Sequence, residues 1–392
     1  MLDCRMMSGG TDAEAVRLEL RTWLSEHLDD DVRASMRHRG DDVAFERWRA
    51  WNAQLFDAGW AAPSWPAHWG GRDADLPAQL AVHEEMASQR APGPVNQIGV
   101  ANIAPAIMTY GTPEQQERFL RPMLRGDEIW SQGMSEPEAG SDLAALRCRA
   151  ECDGDHFVVT GQKTWNSNGD RAQWCQLYVR TNPDVPRHQG ITCLLVDMAL
   201  PGIDVRPIRT MAGDAGFAEV FLDEVRVPVD AVLGKVDDGW SVATRTLGNE
   251  RAGVATLYLH LRNKLGRLLD EAAEHRSDGT APTDDPRVRQ VLARRWCDVK
   301  VLELLATRTL DAARAGRMPG PEGSVIKLAW SLADQALTNT AVDVLGFDAL
   351  DGPWAWELLS SRSLTIAGGT SEVNRNIVGE RVLGLPREPR PT

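Results

Sequence analysis

The spacing of apolar residues changes character twice along this chain, and any fold must accommodate both changes. Ala15, Leu18, Leu20, Trp23, Leu24 and Leu28 recur at helical spacing, and Leu80, Val82 and Met86 repeat it later. Pro63, Pro66, Gly70 and Gly71 interrupt the pattern and predict a loop. Gly111-Thr112-Pro113-Glu114 opens a further helix, with Thr112 as cap and Pro113 in the first turn. Near Ile129 the texture becomes short strand-like runs at 157–160, 176–179, 191–196 and 219–222. Asp153-Gly154 lies between two such runs and signals a hairpin. From Asp238 the helical period returns. Trp240, Leu247, Val254, Leu261 and Leu268 fall seven apart, which predicts a long helix packed on others. The order is helical domain 1–128, β domain 129–232, helical bundle 233–392.

Bulk properties narrow the function classes. A chain of 392 residues is too long for one simple core. A net charge of −13 supplies no broad basic face, which argues against a general nucleic-acid or anionic-membrane binder. No run approaches the ~20 apolar residues that cross a bilayer, and Met1-Leu2-Asp3-Cys4-Arg5 does not open a signal peptide, so a cytoplasmic location is expected. The six cysteines are scattered, and the spacing of Cys148 and Cys152 fits neither a zinc knuckle nor a thioredoxin motif. Reduced thiols and no metal are expected. Several of the fourteen tryptophans cluster between Trp48 and Trp69, where they read as core.

Common catalytic signatures are absent: there is no G-x-G-x-x-G, P-loop, H-E-x-x-H or G-x-S-x-G. His83-Glu84-Glu85 is followed by Met86-Ala87, so no second histidine completes a metal pair. One acidic residue falls on an apolar stripe. Leu247, Glu250, Val254, Leu257 and Leu261 share one helix face. A carboxyl placed there has its charged form disfavoured and suits a general base. Periodicity leaves open the alternative, an ion pair with Arg251 or with an arginine of another helix. Ile366-Ala367-Gly368-Gly369-Thr370-Ser371-Glu372 reads as a turn into a capped helix, either a plain turn or one that meets a phosphate or flavin edge. Met134-Ser135-Glu136-Pro137-Glu138-Ala139-Gly140-Ser141-Asp142 reads as a loop at the start of the β domain.

Together these segments form a pattern. Ser135-Glu136-Pro137-x-Ala139-Gly140-Ser141-Asp142 resembles the first signature of the acyl-CoA dehydrogenase family, and Gly161-Gln162-Lys163-Thr164-Trp165-Asn166-Ser167-Asn168-Gly169 resembles the second. Asp223-Glu224-Val225-Arg226-Val227-Pro228, with Val232-Leu233-Gly234, is similar to the family's end of the β domain. The stretch from Gly368 through Arg375-Asn376-Ile377 to Glu380-Arg381-Val382-Leu383-Gly384-Leu385-Pro386 resembles its C-terminal signature. The motifs run in family order over nearly the whole chain. The resemblance implies a mostly helical α+β fold: N-terminal helical domain, middle β-barrel-like domain, C-terminal four-helix bundle. It also implies FAD between the β domain and the bundle, reaching a neighbouring subunit. Gln132, Met134, Ser135 and Ser141 would line the flavin, Ser141 near the thioester-bearing arm of the substrate. Trp165 and Ser167 would flank the isoalloxazine, and Thr370 and Glu372 match contacts to FAD phosphates or adenosine. Arg251 matches a bundle arginine close to substrate.

Many family members place the base directly before the Gly-Thr of the C-terminal signature, where this chain has Gly368. The long-chain and isovaleryl-type enzymes carry it on the bundle helix, at the position of Glu250. The implied reaction is α,β-dehydrogenation of an acyl-CoA or acyl-carrier-protein thioester, with Glu250 as base and an electron-transfer flavoprotein as acceptor. The family's Arg-Lys-Thr-Phe-Gly-like run is replaced by Ala273-Glu274-His275-Arg276-Ser277-Asp278-Gly279-Thr280, and its late Gly-Gly turn only by Leu345-Gly346-Phe347-Asp348. Both gaps fall on cross-subunit FAD contacts. They resemble the bacterial branch that handles bulky or steroid-like acyl chains, some members of which pair two unlike subunits. A homo-oligomer (dimer or tetramer) and a heterotetramer with a homologue are both expectations. The rival chemistries are a flavin monooxygenase on the same fold and a non-enzymatic interaction protein. Glu250 and the intact C-terminal signature count against the first, the retained Trp165 and Ser167 segment against the second.

Overall fold

The computed structural model describes residues 12–35, 41–252, 256–274, 279–315 and 320–387. Among these, the first third is helical: α1 (Ala13–His27), α2 (Asp30–Ser35), α3 (Asp42–Asp57), α4 (Leu76–Ser88), α5 (Ala104–Tyr110) and α6 (Pro113–Arg125). The start of α6 is the one the sequence predicts. Thr112 caps it in a capping box with Gln115, and Pro113 is its first residue. Leu20 and Leu24 are buried on α1, but Leu18 of the same spacing faces solvent. Trp48, Trp51, Trp60 and Trp65 are buried together, and the Trp48 and Trp51 indoles donate to the Gly93 and Pro92 carbonyls at 2.8 and 2.9 Å. Each buries a large ring without stranding its N–H.

The strands β1 (Trp130–Gly133), β2 (Arg149–Asp153), β3 (His156–Ser167), β4 (Trp174–Arg180), β5 (Ile191–Asp197), β6 (Ile203–Ile208) and β7 (Phe217–Pro228) form one curled sheet. Its spatial order is β1-β4-β2-β3-β7-β6, and β5 pairs with β4. The four predicted runs fall in β3, β4, β5 and β7. The predicted hairpin joins β2 to β3, with Asp153 opposite His156 and Gly154 at φ 65°. The long β3·β7 ladder slips register twice, between Val159 and Gly161 and between Lys163 and Asn166. Bulges of this kind bend a strand and re-aim the side chain at the slip.

The remaining helices are α7 (Gly239–Ala252), α8 (Leu257–Glu274), α9 (Pro286–Arg314), α10 (Gly323–Leu345), α11 (Pro353–Ser360) and α12 (Ser371–Ile377). Val254 lies outside the described residues, so the long helix read from the seven-residue spacing is described as two, α7 and α8. The cores divide unexpectedly. Val242 and Ala243 of α7 are buried with the N-terminal helices and with Tyr178, Cys193 and Leu195 of the sheet. The bundle core instead gathers Leu261, Leu265 and Leu268 of α8 with Leu302, Leu337 and Trp354. At roughly 1.5–3 kcal/mol per buried large apolar side chain, each cluster supplies a hydrophobic core of its own. Among the described residues no helix is long and apolar enough to cross a membrane.

Candidate active site

The wall built by the middle domain starts from a buried charge pair. Lys163 points inward from β3 with its side chain 0% exposed, and its Nζ donates to Glu136 Oε1 at 2.8 Å. The same ammonium donates to the Met134 carbonyl at 3.2 Å. The Glu136 carboxylate also accepts the backbone N–H groups of Arg147 and Cys148 at 2.7 and 2.9 Å. A buried pair of this kind is tolerated because its remaining hydrogen-bonding positions are filled. Thr164 N–H then donates to the Ser135 carbonyl at 2.9 Å, which ties the 134–136 loop to β3.

Trp165 follows at the second slip of the β3·β7 ladder, at φ 62° and 58% exposed. A non-glycine residue held in this region carries backbone strain, and a large indole left open to solvent there is a displayed surface. Its ring meets Phe217 edge-on, centroids 5.8 Å apart, and Ser167 is paired with Phe217 across the ladder. Gln132 donates to Gln176 at 3.1 Å. The structure thus joins Met134, Ser135, Trp165 and Ser167 through one strand and one loop. Ser141 is exposed further along that loop, beside an Asp142–Arg187 pair.

The bundle contributes the turn before α12. Gly368 and Gly369 adopt φ 64° and 83°, and Thr370 caps the helix by accepting the Val373 N–H at 3.2 Å. The Asn374 amide donates to the carbonyls of Gly369 and Thr370 at 2.8 and 3.1 Å, and Lys327 Nζ donates to the Gly369 carbonyl at 2.7 Å. Glu372 is exposed in the first turn, its carboxyl held below its ordinary range by the backbone N–H at the helix start and the Thr370 hydroxyl. At Gly368 the left-handed backbone disfavours any side chain, so this turn is poorly suited to carry a base. Glu250 and Arg251 belong by backbone to α7, and their side chains lie outside the described residues, as does Arg276.

Other chemistries find little support. The buried Cys148 and Cys175 thiols are pushed up to about 11 by desolvation, which leaves no reactive thiolate there. Among the described residues no group of three His, Cys, Asp or Glu side chains could hold a metal. Sequence reasoning gave no role to Glu136, Lys163, Lys327 or Asn374. The signal available for Lys163 was a cation on a strand whose neighbours alternate inward.

Comparison with known proteins agrees with this layout. Models of the acyl-CoA dehydrogenase N-terminal, middle and C-terminal domains match residues 10–127, 131–225 and 237–383. Acyl-CoA dehydrogenase IpdE1 of Mycobacterium tuberculosis is 39% identical, over 96% of this chain and 99% of its own length. The ChsE4-ChsE5 complex of Mycobacterium tuberculosis superposes with a TM-score of 0.83 at 32% identity, covering 97% of this chain and 100% of the other. The Tcur3481-Tcur3483 steroid ACAD gives a TM-score of 0.85 at 28% identity, covering 96% of this chain and 98% of the other. With all three domain models in order, and a relative this similar along almost the full length, the chain belongs to the acyl-CoA dehydrogenase family of oxidoreductases acting on acyl-CoA.

Proposed function

We propose that this enzyme desaturates an acyl-CoA thioester between its α and β carbons, with FAD as cofactor and Glu250 as the base. The observation that carries the reading is the exposed Trp165, held at φ 62° beside the Ser135 loop. The residues of this wall fit a planar group with polar edges. The indole offers a flat apolar face. The Ser135 and Ser167 hydroxyls are only partly buried, so they can donate to the polar edges of such a group. Trp165, Ser167, Ser135, Met134 and Gln132 would hold the ring system, and Thr370 and Glu372 the distal nucleotide. Bound FAD supplies the acceptor for the β-hydride.

The protein's share is a proton and a geometry. Glu250 Oε would take the α-proton, and the apolar stripe on which it falls favours a carboxyl poised to accept one. Arg251 would sit at the substrate, and Ser141 at its thioester arm. Lys163 and Glu136 keep the Ser135 loop and Trp165 in fixed relation, so the middle-domain wall would meet a bound ring system without rearrangement. An acyl-carrier-protein thioester is the alternative substrate form, and an electron-transfer flavoprotein the expected electron acceptor.

A second reading concerns assembly. Trp296 on α9 is 53% exposed, Leu304 65%, and Leu332 on α10 48%. Phe347 and Leu383 are also open to solvent. Large exposed apolar side chains on packed helices favour a partner surface. The similar ChsE4-ChsE5 and Tcur3481-Tcur3483 structures are complexes of two named components. We therefore read this chain as the base-carrying subunit of a homo-oligomer or of a heteromer with a homologue, acting on a bulky or steroid-like acyl group. Glu250→Gln tests the chemistry: flavin content and acyl-CoA binding should persist, and anaerobic flavin bleaching should slow by roughly three or more orders of magnitude. Bleaching at the parent rate would remove Glu250 from the role.

A further inference from the structure

The connection between β6 and β7 is longer than the pairing of those strands requires. Ile208 and Phe217 close the ladder opposite each other, and antiparallel neighbours are commonly joined by roughly two to five residues. Here the chain runs out over 209–216 before it returns. The excursion is ordered from within. Thr210 N–H donates to the Asp214 carbonyl at 2.8 Å, and Gly213 N–H donates to the Thr210 carbonyl at 3.0 Å. The Thr210 hydroxyl donates to Asp214 Oδ1 at 2.6 Å and accepts the Ala212 N–H at 3.2 Å. One carboxylate oxygen is thereby held inside the loop, and the second is left for a partner.

That partner belongs to the bundle. Trp356 of α11 donates its indole N–H to Asp214 Oδ2 at 3.0 Å. The other tryptophan of α11 anchors the helix. Trp354 is buried in the bundle core, with the Arg267 guanidinium 3.9 Å from its ring centre, and its indole donates to Glu271. Residues two apart on a helix do not share a face, so Trp354 holds α11 down while Trp356 reaches out. Beyond α11 the chain runs through 361–365, where the Gln335 amide donates to the Ser361 carbonyl at 3.1 Å, into the Gly368-Gly369 turn. The Trp356 indole thus ties the bundle side of the candidate site to the middle domain.

On the middle-domain side the link continues to Trp165. The Gly216 carbonyl, just after Asp214 in the chain, accepts the Asn168 N–H at 3.0 Å. Phe217 then pairs with Ile208 of β6 and with Ser167 of β3, and its ring meets Trp165 edge-on. A displacement of Asp214 is passed along this path to the ring against which Trp165 rests.

We propose that Asp214 and Trp356 form a strut that fixes the spacing between the bundle and the Trp165 wall. Both are positioning residues: they act through Phe217 and Trp165 and need no contact with flavin or substrate. This rests on the flavin reading above and adds the residues that set how tightly the ring system is held. A hydrogen bond to a carboxylate is shorter and stronger than one between neutral groups, which suits it to hold two domains at one separation.

The test reads two quantities: the FAD dissociation constant, from recovery of flavin fluorescence on dilution, and amide hydrogen exchange with and without FAD. Trp356→Phe keeps an aromatic ring and removes the N–H, and Asp214→Ala removes the carboxylate. Each should raise the dissociation constant about tenfold and speed exchange over 165–169, while 261–268 of α8 stays protected. Trp356→Phe/Asp214→Ala should be no worse than Asp214→Ala alone, since both changes break the same bond. Asp214→Asn keeps an oxygen for the indole and should hold most of the parent affinity. Unchanged affinity and exchange in the single variants, or losses that add in the double variant, overturn the strut and leave the flavin reading intact. Faster exchange that extends to 261–268 also overturns it, because the pair would then support the whole fold rather than one spacing. A parent that binds no FAD, with exchange over 165–169 still faster in both single variants, supports the strut and counts against the flavin reading. No FAD binding together with unchanged exchange overturns both.

Discussion

The two walls of the site are held by different means. The middle-domain wall is tied into a continuous strand ladder and locked by a fully buried ion pair, Lys163 with Glu136, whose carboxylate also takes two backbone N–H groups. The bundle wall rests on one helix cap, one asparagine amide and one lysine around the Gly368-Gly369 turn. Large apolar residues near it in the chain, Ile366 and Leu383, stay exposed. The first wall is finished inside a single chain. The second has fewer ties within the chain, and the sequence departures at Gly346 and in the 273–280 stretch fall where the family resemblance implies cross-subunit FAD contacts. A flavin lying between the walls would thus have one rigid side and one side dependent on assembly.

The largest effect expected from breaking this comparison is at the buried pair. Lys163→Met leaves the Glu136 carboxylate buried beside an apolar chain, at a cost on the order of 3–5 kcal/mol. Urea unfolding should show the midpoint falling, with flavin retention lost in parallel because Trp165 and Ser135 lose their common anchor. Lys163→Met/Glu136→Leu removes both charges and should recover much of the stability. A single Met variant as stable as the parent would mean that the wall is held by the ladder alone.

Next in size is the turn before α12. Asn374→Ala removes the side-chain donor from the Gly369 and Thr370 carbonyls, which keep Lys327 Nζ and the backbone N–H of residue 374, and should cost about 0.5–1.5 kcal/mol locally. Amide hydrogen exchange over 368–377 should speed up while β3 stays protected. If the bundle wall is completed by a partner, the acceleration should shrink at high protein concentration, where an oligomer forms. Equal acceleration in β3 would contradict the separation of the two walls.

The sequence made the two walls unequally legible. In the sheet, residues 157–160 and 191–196 read correctly as strands because alternation and β-branched content are local properties. The Asp153-Gly154 turn and the Thr112 cap were legible for the same reason: a cap or tight turn is decided within four residues. β6 was missed because Arg206 and Pro207 interrupt its apolar pattern, and its pairing with β7 supplies what its composition lacks. The Trp165 bulge was invisible, since a register slip depends on both strands. α7 reads as bundle by period, yet its buried Val242 and Ala243 belong to the N-terminal core. A heptad states which face is apolar and leaves open what covers it. The same limit hid the approach of His83 on α4 to His260 on α8: each lies on its own helix, and only tertiary contact brings the two together.

The smallest expected effect, in pH, sharpens the comparison by reading the α4·α8 seam alone. Around His83 lie Glu84, itself paired with Arg17 of α1, and Tyr258 and His260 of α8. Around His260 lie Lys264 of α8 and Asp334 of α10. Both histidines have folded-state values depressed below 6.5, so between those values and 6.5 the unfolded chain binds more protons than the fold. Stability should therefore be flat above about pH 6.5 and decline as pH falls through the window beneath it. Glu85 acts in a separate range. Its hydrogen bond to Arg21 depresses its value below 4.5, so its contribution is present above 4.5 and fades only in stronger acid. Melting temperatures taken from pH 7.5 down to 5 should fall modestly in the parent, because both rings keep some solvent, and less in His83→Gln/His260→Gln. A slope unchanged in that variant would assign the acid sensitivity to other groups and deny that the seam desolvates its histidines.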